Sequence, residues 1–327
     1  MRNKDSSTKT YMKDPRHFAD FFNGYIYHGE EVIHAEELYE MDTSNIAMVP
    51  YRKGEKRITI QRYRDVLKKA VLMHSETTYY LFLGIENQSE IHYAMPVRNM
   101  LYNALVYNQQ VETIAKHNIE NKNYKGDNEF LSGITKEDKL IPVVTVTVYW
   151  GTKPWDGPTT LKEMLGAMDE ETAELVDDIN CNLFSIIDIE DFPEFKTELN
   201  ELFQLLAKRN NKDAMLELLN QNEKYQNIDK DTAYMMKEFA NIKLPRKSKK
   251  GAYNMCKAIE DLKQESQEIG EKIGENRGRE QGIEAFILDK IEDQYPKDEI
   301  IKKLVKRFSL AEAKAVEYFE KYSAVSV

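Results

Sequence analysis

Two side chains able to hold a cation or a water stand one residue apart at the end of an apolar run. The run is Tyr79-Tyr80-Leu81-Phe82-Leu83-Gly84-Ile85, and Glu86-Asn87-Gln88 follows it. Residues i and i+2 of a β-strand share a face. A strand here therefore sets the Glu86 carboxylate beside the Gln88 carboxamide. Burying both is unfavourable unless each is hydrogen-bonded or bound. Either a hydrogen-bond network holds them, or they hold a metal and a substrate. In the second case Asp65 on one strand and Glu86 on its neighbour would cradle magnesium, which takes a few carboxylates and keeps several waters. Such an ion polarises a phosphodiester and activates an attacking water. Gln88 then faces the same site, able to hydrogen-bond but unable to supply positive charge or act as a base.

The flanking sequence must position these groups. Ile58-Thr59-Ile60 reads as a strand after a Lys53-Gly54-Glu55 turn. Arg62 to Val71 fits a helix through Tyr63, Val66, Leu67, Ala70 and Val71, and fits a strand equally. The Tyr79/Tyr80 pair reads as core. Met95-Pro96 opens a helix in which Val97, Met100, Leu101, Ala104, Leu105 and Val111 keep helical spacing. Arg98 and Tyr102 are neighbours on one face of it. They suit either a phosphate contact or an arginine paired with a core-edge acid. Residues 117–139 read as a loop. Leu140 to Trp150 is β-branched nearly throughout, the pattern of a strand covered on both faces. Strand, strand, helix and strand over 57–150 predict a mixed α/β core.

Upstream, residues 1–12 are polar and expected to be loose, and Asp14-Pro15 starts a helix carrying Phe18, Asp20, Phe21, Phe22 and Tyr25. From Thr160 the pattern turns helical. Pro245 to Lys250 is a basic linker. Gly270, Gly274, Gly278 and Gly282 then recur in a charged segment, and two short helices end the chain, the last opened by a Ser309-Leu310-Ala311-Glu312 capping box.

The chain of 327 residues has a net charge of −10 and a pI near 5.3. That balance argues against a protein coated in positive charge for passive DNA binding, and it leaves room for a metal-dependent enzyme with local basic patches. Cys181 and Cys256 are far apart and show no disulfide or zinc pattern. No apolar leader opens the sequence, and no apolar run approaches the ~20 residues of a membrane span. The expectation is a soluble, cytoplasmic protein with no membrane partner.

Four ordered segments carry a resemblance. They are His17-Phe18-Ala19-Asp20-Phe21-Phe22-Asn23-Gly24, Arg64-Asp65-Val66-Leu67-Lys68-Lys69, Gly84-Ile85-Glu86-Asn87-Gln88-Ser89, and Tyr93-Ala94-Met95-Pro96-Val97-Arg98-Asn99-Met100-Leu101-Tyr102. Over residues 10–240 the chain resembles the Rpn family of recombination-promoting nucleases and transposase-like proteins, in the PD-(D/E)XK superfamily. The resemblance implies that superfamily's mixed sheet flanked by helices, and it favours a strand at Asp65. It implies Asp65 and Glu86 as Mg2+ ligands, Gln88 in the place of the superfamily lysine, and Asp20 as a further acid. The glycine-spaced tail is also similar to tails in that family.

The resulting expectation is a PD-(D/E)XK-like domain over 10–158, a helical region over 159–244, and a basic linker with a charged helical tail over 245–327. The protein would be a Mg2+-dependent DNA endonuclease of recombination or mobile elements. Asp65, Glu86 and Gln88 would be catalytic, Arg98 and Tyr102 would contact DNA, and the tail would form a homo-oligomer. Glutamine at 88 supports a competing reading, a degenerate nuclease fold that binds DNA or protein.

Overall fold

The computed structural model describes residues 4–41, 44–49, 58–63, 65–74, 77–189, 191–245 and 251–323. The Lys53-Gly54-Glu55 turn, Arg64 and the 246–250 part of the basic linker lie outside them. The chain divides into two compact units, Met1–Ala258 and Ile259–Val327.

In the first unit, β1 (Leu38–Glu40), β4 (Val66–His74), β5 (Thr77–Gln88), β6 (Val143–Tyr149) and β7 (Asn182–Ser185) form one sheet in that order. β1, β4 and β5 pair antiparallel, and β5, β6 and β7 pair parallel. A separate hairpin joins β2 (Ser44–Val49) to β3 (Ile58–Tyr63). The fold is thus α/β with a mixed open sheet, as expected. The ambiguous stretch is not one element: Arg62 and Tyr63 end β3, Asp65 is a bend, and from Val66 it is strand, with both faces of β4 buried through Val66, Leu67, Lys68, Ala70 and Leu72.

β5 and β6 run parallel and so require a crossover, which α3 (Met95–Asn121) supplies. Pro96 sits in its first turn. Leu67 and Phe82 pack with Val106 of α3 and with Val143. The opposite face meets α1 (Lys4–Lys13), α2 (Pro15–Tyr27) and α6 (Leu199–Ala207). There Lys68 is buried, its Nζ donating to the Lys13 carbonyl at 2.7 Å and lying 5.2 Å from the Phe18 ring centre. Phe21, Phe184, Phe195 and Phe203 form an aromatic cluster that reaches Trp150. Asp14 caps α2 by accepting the Arg16 N–H.

Several expectations need correction. Residues 4–13 are helical, because Thr8, Tyr11 and Met12 are buried at helical spacing and Tyr11 Oη shares a 2.8 Å hydrogen bond with Thr232 Oγ1. α3 runs ten residues past Val111 to Asn121, and α4 (Asp127–Ser132) interrupts the expected loop. The sheet gains its fifth strand from 182–185, inside the stretch that reads as helical; Phe184 brings an aromatic ring to the core there. Tyr80 is 43 % exposed and carries the Lys69 Nζ 3.9 Å from its ring centre rather than packing in the core.

α5 (Glu170–Leu175), α7 (Lys212–Gln221) and α8 (Lys230–Ala240) also belong to the first unit, and α9 (Met255–Glu292), α10 (Lys297–Phe308) and α11 (Glu312–Ser323) follow. The second unit has its own core of Ile283, Ile287, Ile300, Ile301, Leu304, Ala315 and Tyr322. Ser309 closes α10 in the left-handed conformation, so it serves that helix's end rather than the capping box of α11. A Cβ at Gly270, Gly274 or Gly278 would meet nothing within 4 Å. Among the described residues no helix is long and apolar enough to cross a membrane.

Candidate functional site

Asp65 occupies the bend that feeds β4. The ladder ends with Val66 opposite Ile85, and one further step opposes Asp65 to Glu86. Directly opposed residues share a face of the sheet. The two acids are thereby set on the α3 side at the C-terminal end of β5. Asp65 Oδ2 accepts the Asn87 N–H at 2.9 Å, which ties the bend to the strand end. Burial raises the proton affinity of Asp65, and the Asn87 N–H and the charges of Lys9 and Arg98 act against that rise.

Glu86 is fully buried. Arg98, one turn into α3, places Nη2 3.6 Å from Glu86 Oε2. Arg98 Nε donates to Tyr102 Oη at 3.1 Å, the contact expected of residues four apart on a helix. Burial opposes the Arg98 charge, but Tyr102, Glu86 and Asp65 outweigh it and the guanidinium is held more firmly protonated. A third of the Arg98 side chain remains exposed. It therefore bridges the buried carboxylate and the surface.

Gln88 is the last residue of β5, half-buried and in register with Tyr149 of β6. Strand alternation puts its side chain on the Glu86 face. Asn87 points the other way, where its Oδ1 accepts the Trp150 Nε1–H at 2.9 Å. Asp65, Glu86, Gln88, Arg98 and Tyr102 are thus gathered around one strand end.

Asp20 is not brought to them. Its Oδ1 accepts the Lys196 N–H at 2.8 Å, and Oδ2 accepts the Thr197 N–H at 2.8 Å and the Thr197 hydroxyl at 2.5 Å. The carboxylate is committed to the segment that enters α6.

Two polar residues near the acids went unnoticed in the sequence. Asn99 Nδ2 donates to Thr147 Oγ1 at 3.0 Å and to Cys181 Sγ at 3.3 Å, and Thr147 lies in register with Glu86. The signal was available for Asn99. Met95, Asn99, Tyr102 and Val106 form the buried stripe of α3, so an amide sits where helical spacing demands an apolar residue. Thr147 was hidden because its β-branched shape suits a buried strand whatever its hydroxyl does. Among the described residues no three His, Cys, Asp or Glu side chains gather as a metal cluster. Any ion here would rest on two carboxylates.

Fold and site together define a mixed α/β protein with one acid at the end of a strand, a second in the bend that feeds the neighbouring strand, and an arginine from the crossover helix beside them. Residues 4–236 match the family described as "Putative transposase, YhgA-like", and the chain belongs to that family. The match spans α1 through most of α8 and includes every candidate site residue. Comparison with curated proteins and with solved structures gives no significant match.

Proposed function

We propose that the chain is a Mg2+-dependent DNA endonuclease of the PD-(D/E)XK type, acting in recombination or with mobile elements. The observation that carries this reading is the opposition of Asp65 and Glu86 at one strand end, with Arg98 Nη2 3.6 Å from Glu86. The family's description as a transposase supports DNA as the partner. The donor set fits magnesium: two hard carboxylates, Asp65 in the bend before β4 and the fully buried Glu86 on β5, are the few protein ligands that ion takes, its other positions falling to waters and a phosphate. Asp65 and Glu86 would hold the ion, which when bound supplies Lewis acidity toward the phosphodiester and lowers the pKa of a water.

The chain's own groups do the rest. The Asn87 N–H fixes the Asp65 carboxylate. Arg98 orients Glu86 and presents its exposed edge to a DNA phosphate, with Tyr102 holding the guanidinium. Gln88 orients water or phosphate by hydrogen bonding. Purified protein is expected to nick DNA when magnesium is added, and Asp65→Ala or Glu86→Ala to abolish nicking. Equal cleavage by wild type and both variants would refute the assignment.

One observation favours a second reading, a binding module without catalysis. Arg98 already neutralises Glu86, and residue 88 is a glutamine. Calorimetric titration with magnesium separates the two. An intact fold that takes up no metal at millimolar concentration even with DNA present supports the binding module.

A further inference from the structure

We propose that a cavity at the C-terminal ends of β5 and β6 is a nucleotide pocket, which takes a phosphate-bearing nucleotide of the DNA beside the scissile bond. The cavity measures about 440 Å3 and starts at Ser89, directly after Gln88. Small-molecule sites run to about 300–1,000 Å3, so it is of ligand size. In open α/β sheets the carboxyl ends of parallel strands are where ligands collect. Lys4 and Lys153 line it against one carboxylate, Glu90. Tyr93 stands at the rim, 60 % exposed, with its hydroxyl donating to Asp156 Oδ1 at 3.1 Å. That bond steadies a ring with a free face, and a base of any identity can stack on it.

The decisive feature lies behind the wall. Arg209, just past α6, is only 9 % exposed. Its Nη2 donates to the carbonyl of Gly151, a residue that lines the cavity. Its Nε and Nη1 find no acceptor among the described residues. Burial depresses the basicity of Arg209 to about 10, and Tyr149, another lining residue, is the neighbour that acts against this. A buried guanidinium without an anion is unfavourable, and a phosphate is the planar-fork partner it suits best. The Tyr149 phenol fills the place a side chain at Gly151 would take, so the wall between Arg209 and the cavity is the Gly151 backbone and the Tyr149 ring. A phosphate seated there would meet Lys4 and Lys153 from the sides and would lie in the field of the Arg209 charge across that thin wall.

The placement next to the scissile bond rests on the nuclease reading; binding of the nucleotide does not. The test is calorimetric titration of the full chain in the absence of metal, with thymidine 5′-monophosphate, thymidine and inorganic phosphate as probes. The monophosphate is expected to bind at least tenfold more tightly than either fragment. Arg209→Met and Lys153→Glu are each expected to weaken it at least tenfold. Lys153 is a surface residue, so its variant keeps the test open where Arg209→Met fails to fold. No binding of the monophosphate overturns the proposal. So does equal binding by wild type and Lys153→Glu, and so does a phosphate affinity equal to that of the monophosphate, which would mark an anion site only. Because no metal is present, loss of DNA cleavage with monophosphate binding retained counts against the nuclease reading alone.

Discussion

Replacing Arg98 with methionine strands a buried charge, and the size of the effect can be worked out. Glu86 is fully buried and Arg98 Nη2 lies 3.6 Å from its Oε2. At an effective dielectric of ~20, that separation corresponds to an attraction of about 4–5 kcal/mol. Solvent reaches a third of the Arg98 side chain and screens part of this. Removing one partner of a buried pair costs about 3–5 kcal/mol, so a loss of about 2–3 kcal/mol is expected here. Urea unfolding followed by tryptophan fluorescence is the assay, since Trp150 and Trp155 are the chain's two tryptophans and both belong to the first unit. The signal is then free of the second unit's own transition. Adding Glu86→Gln removes the stranded charge and should restore about 1–2 kcal/mol of the loss. Magnesium should stabilise Arg98→Met more than wild type, because the ion takes over the guanidinium's charge; at a hundredfold its dissociation constant a ligand adds ~2.7 kcal/mol. A loss below about 0.5 kcal/mol, or a double variant weaker than Arg98→Met by the full effect of Glu86→Gln, would refute the coupling.

Asp20→Ala should destabilise the first unit by about 1–3 kcal/mol, because the part-buried Lys196 and Thr197 N–H groups lose their acceptor. Magnesium affinity, measured by calorimetry, should stay that of wild type; a fall matching Asp65→Ala would show that Asp20 is a ligand after all. Burial, with Asp229 beside it, lifts Glu198 from 4.5 to about 7. The folded chain therefore holds a proton that the unfolded chain has lost between those values, and stability falls as pH rises through that window. The Asp229 carboxyl is shifted downward and contributes only in acid, so it leaves this window alone. Glu198→Gln removes the dependence, and since Glu198 is only half-buried the gain at pH 8 relative to pH 5 should be about 1 kcal/mol. Parallel stability curves for variant and wild type would contradict this. Gln88→Lys puts a cation on the Glu86 face and should raise the rate of DNA nicking about tenfold, the order of gain from one added transition-state contact. An unchanged rate with unchanged magnesium affinity would show that residue 88 does not face the reacting phosphate.

What could be seen in advance follows physical rules. β5 and β6 announce themselves because long apolar or β-branched runs bounded by polar groups have few other solutions. Glu86 and Gln88 were located by the strand period alone. Asp65 was not, because Tyr63, Val66, Leu67, Ala70 and Val71 satisfy helix and strand alike, and the choice came from the family resemblance. Only the ladder, which ends with Val66 against Ile85, brings Asp65 level with Glu86. The four-residue β7 is too short to declare a period, and its strand state is conferred by β6 alongside it. The bonds of Asp20 to Lys196 and Thr197 and of Arg209 to Gly151 join residues far apart in the chain, and no local pattern encodes them. Asp20 is a further acid only by the family resemblance, whereas its hydrogen bonds go to a segment nearly 180 residues later.

Charge balance changes the meaning of glutamine at position 88. A lysine there would add a cation to the strand end. In this chain Arg98 and Lys9 already stand within electrostatic reach of Asp65, and Arg98 also contacts Glu86. Two carboxylates and two cations leave the site close to neutral before any ligand arrives. In the nuclease reading a dication alone gains little from such a site, and a phosphodiester alone gains little as well. Together they balance, since the ion offsets the phosphate and Arg98 can turn its exposed edge from Glu86 toward the DNA. Metal and DNA then strengthen each other's binding, and linkage requires the effect to be reciprocal. A site with lysine at 88 would hold the phosphate before the metal came. On that reading a site with glutamine would wait for both, which would tie the chemistry to the presence of the correct substrate.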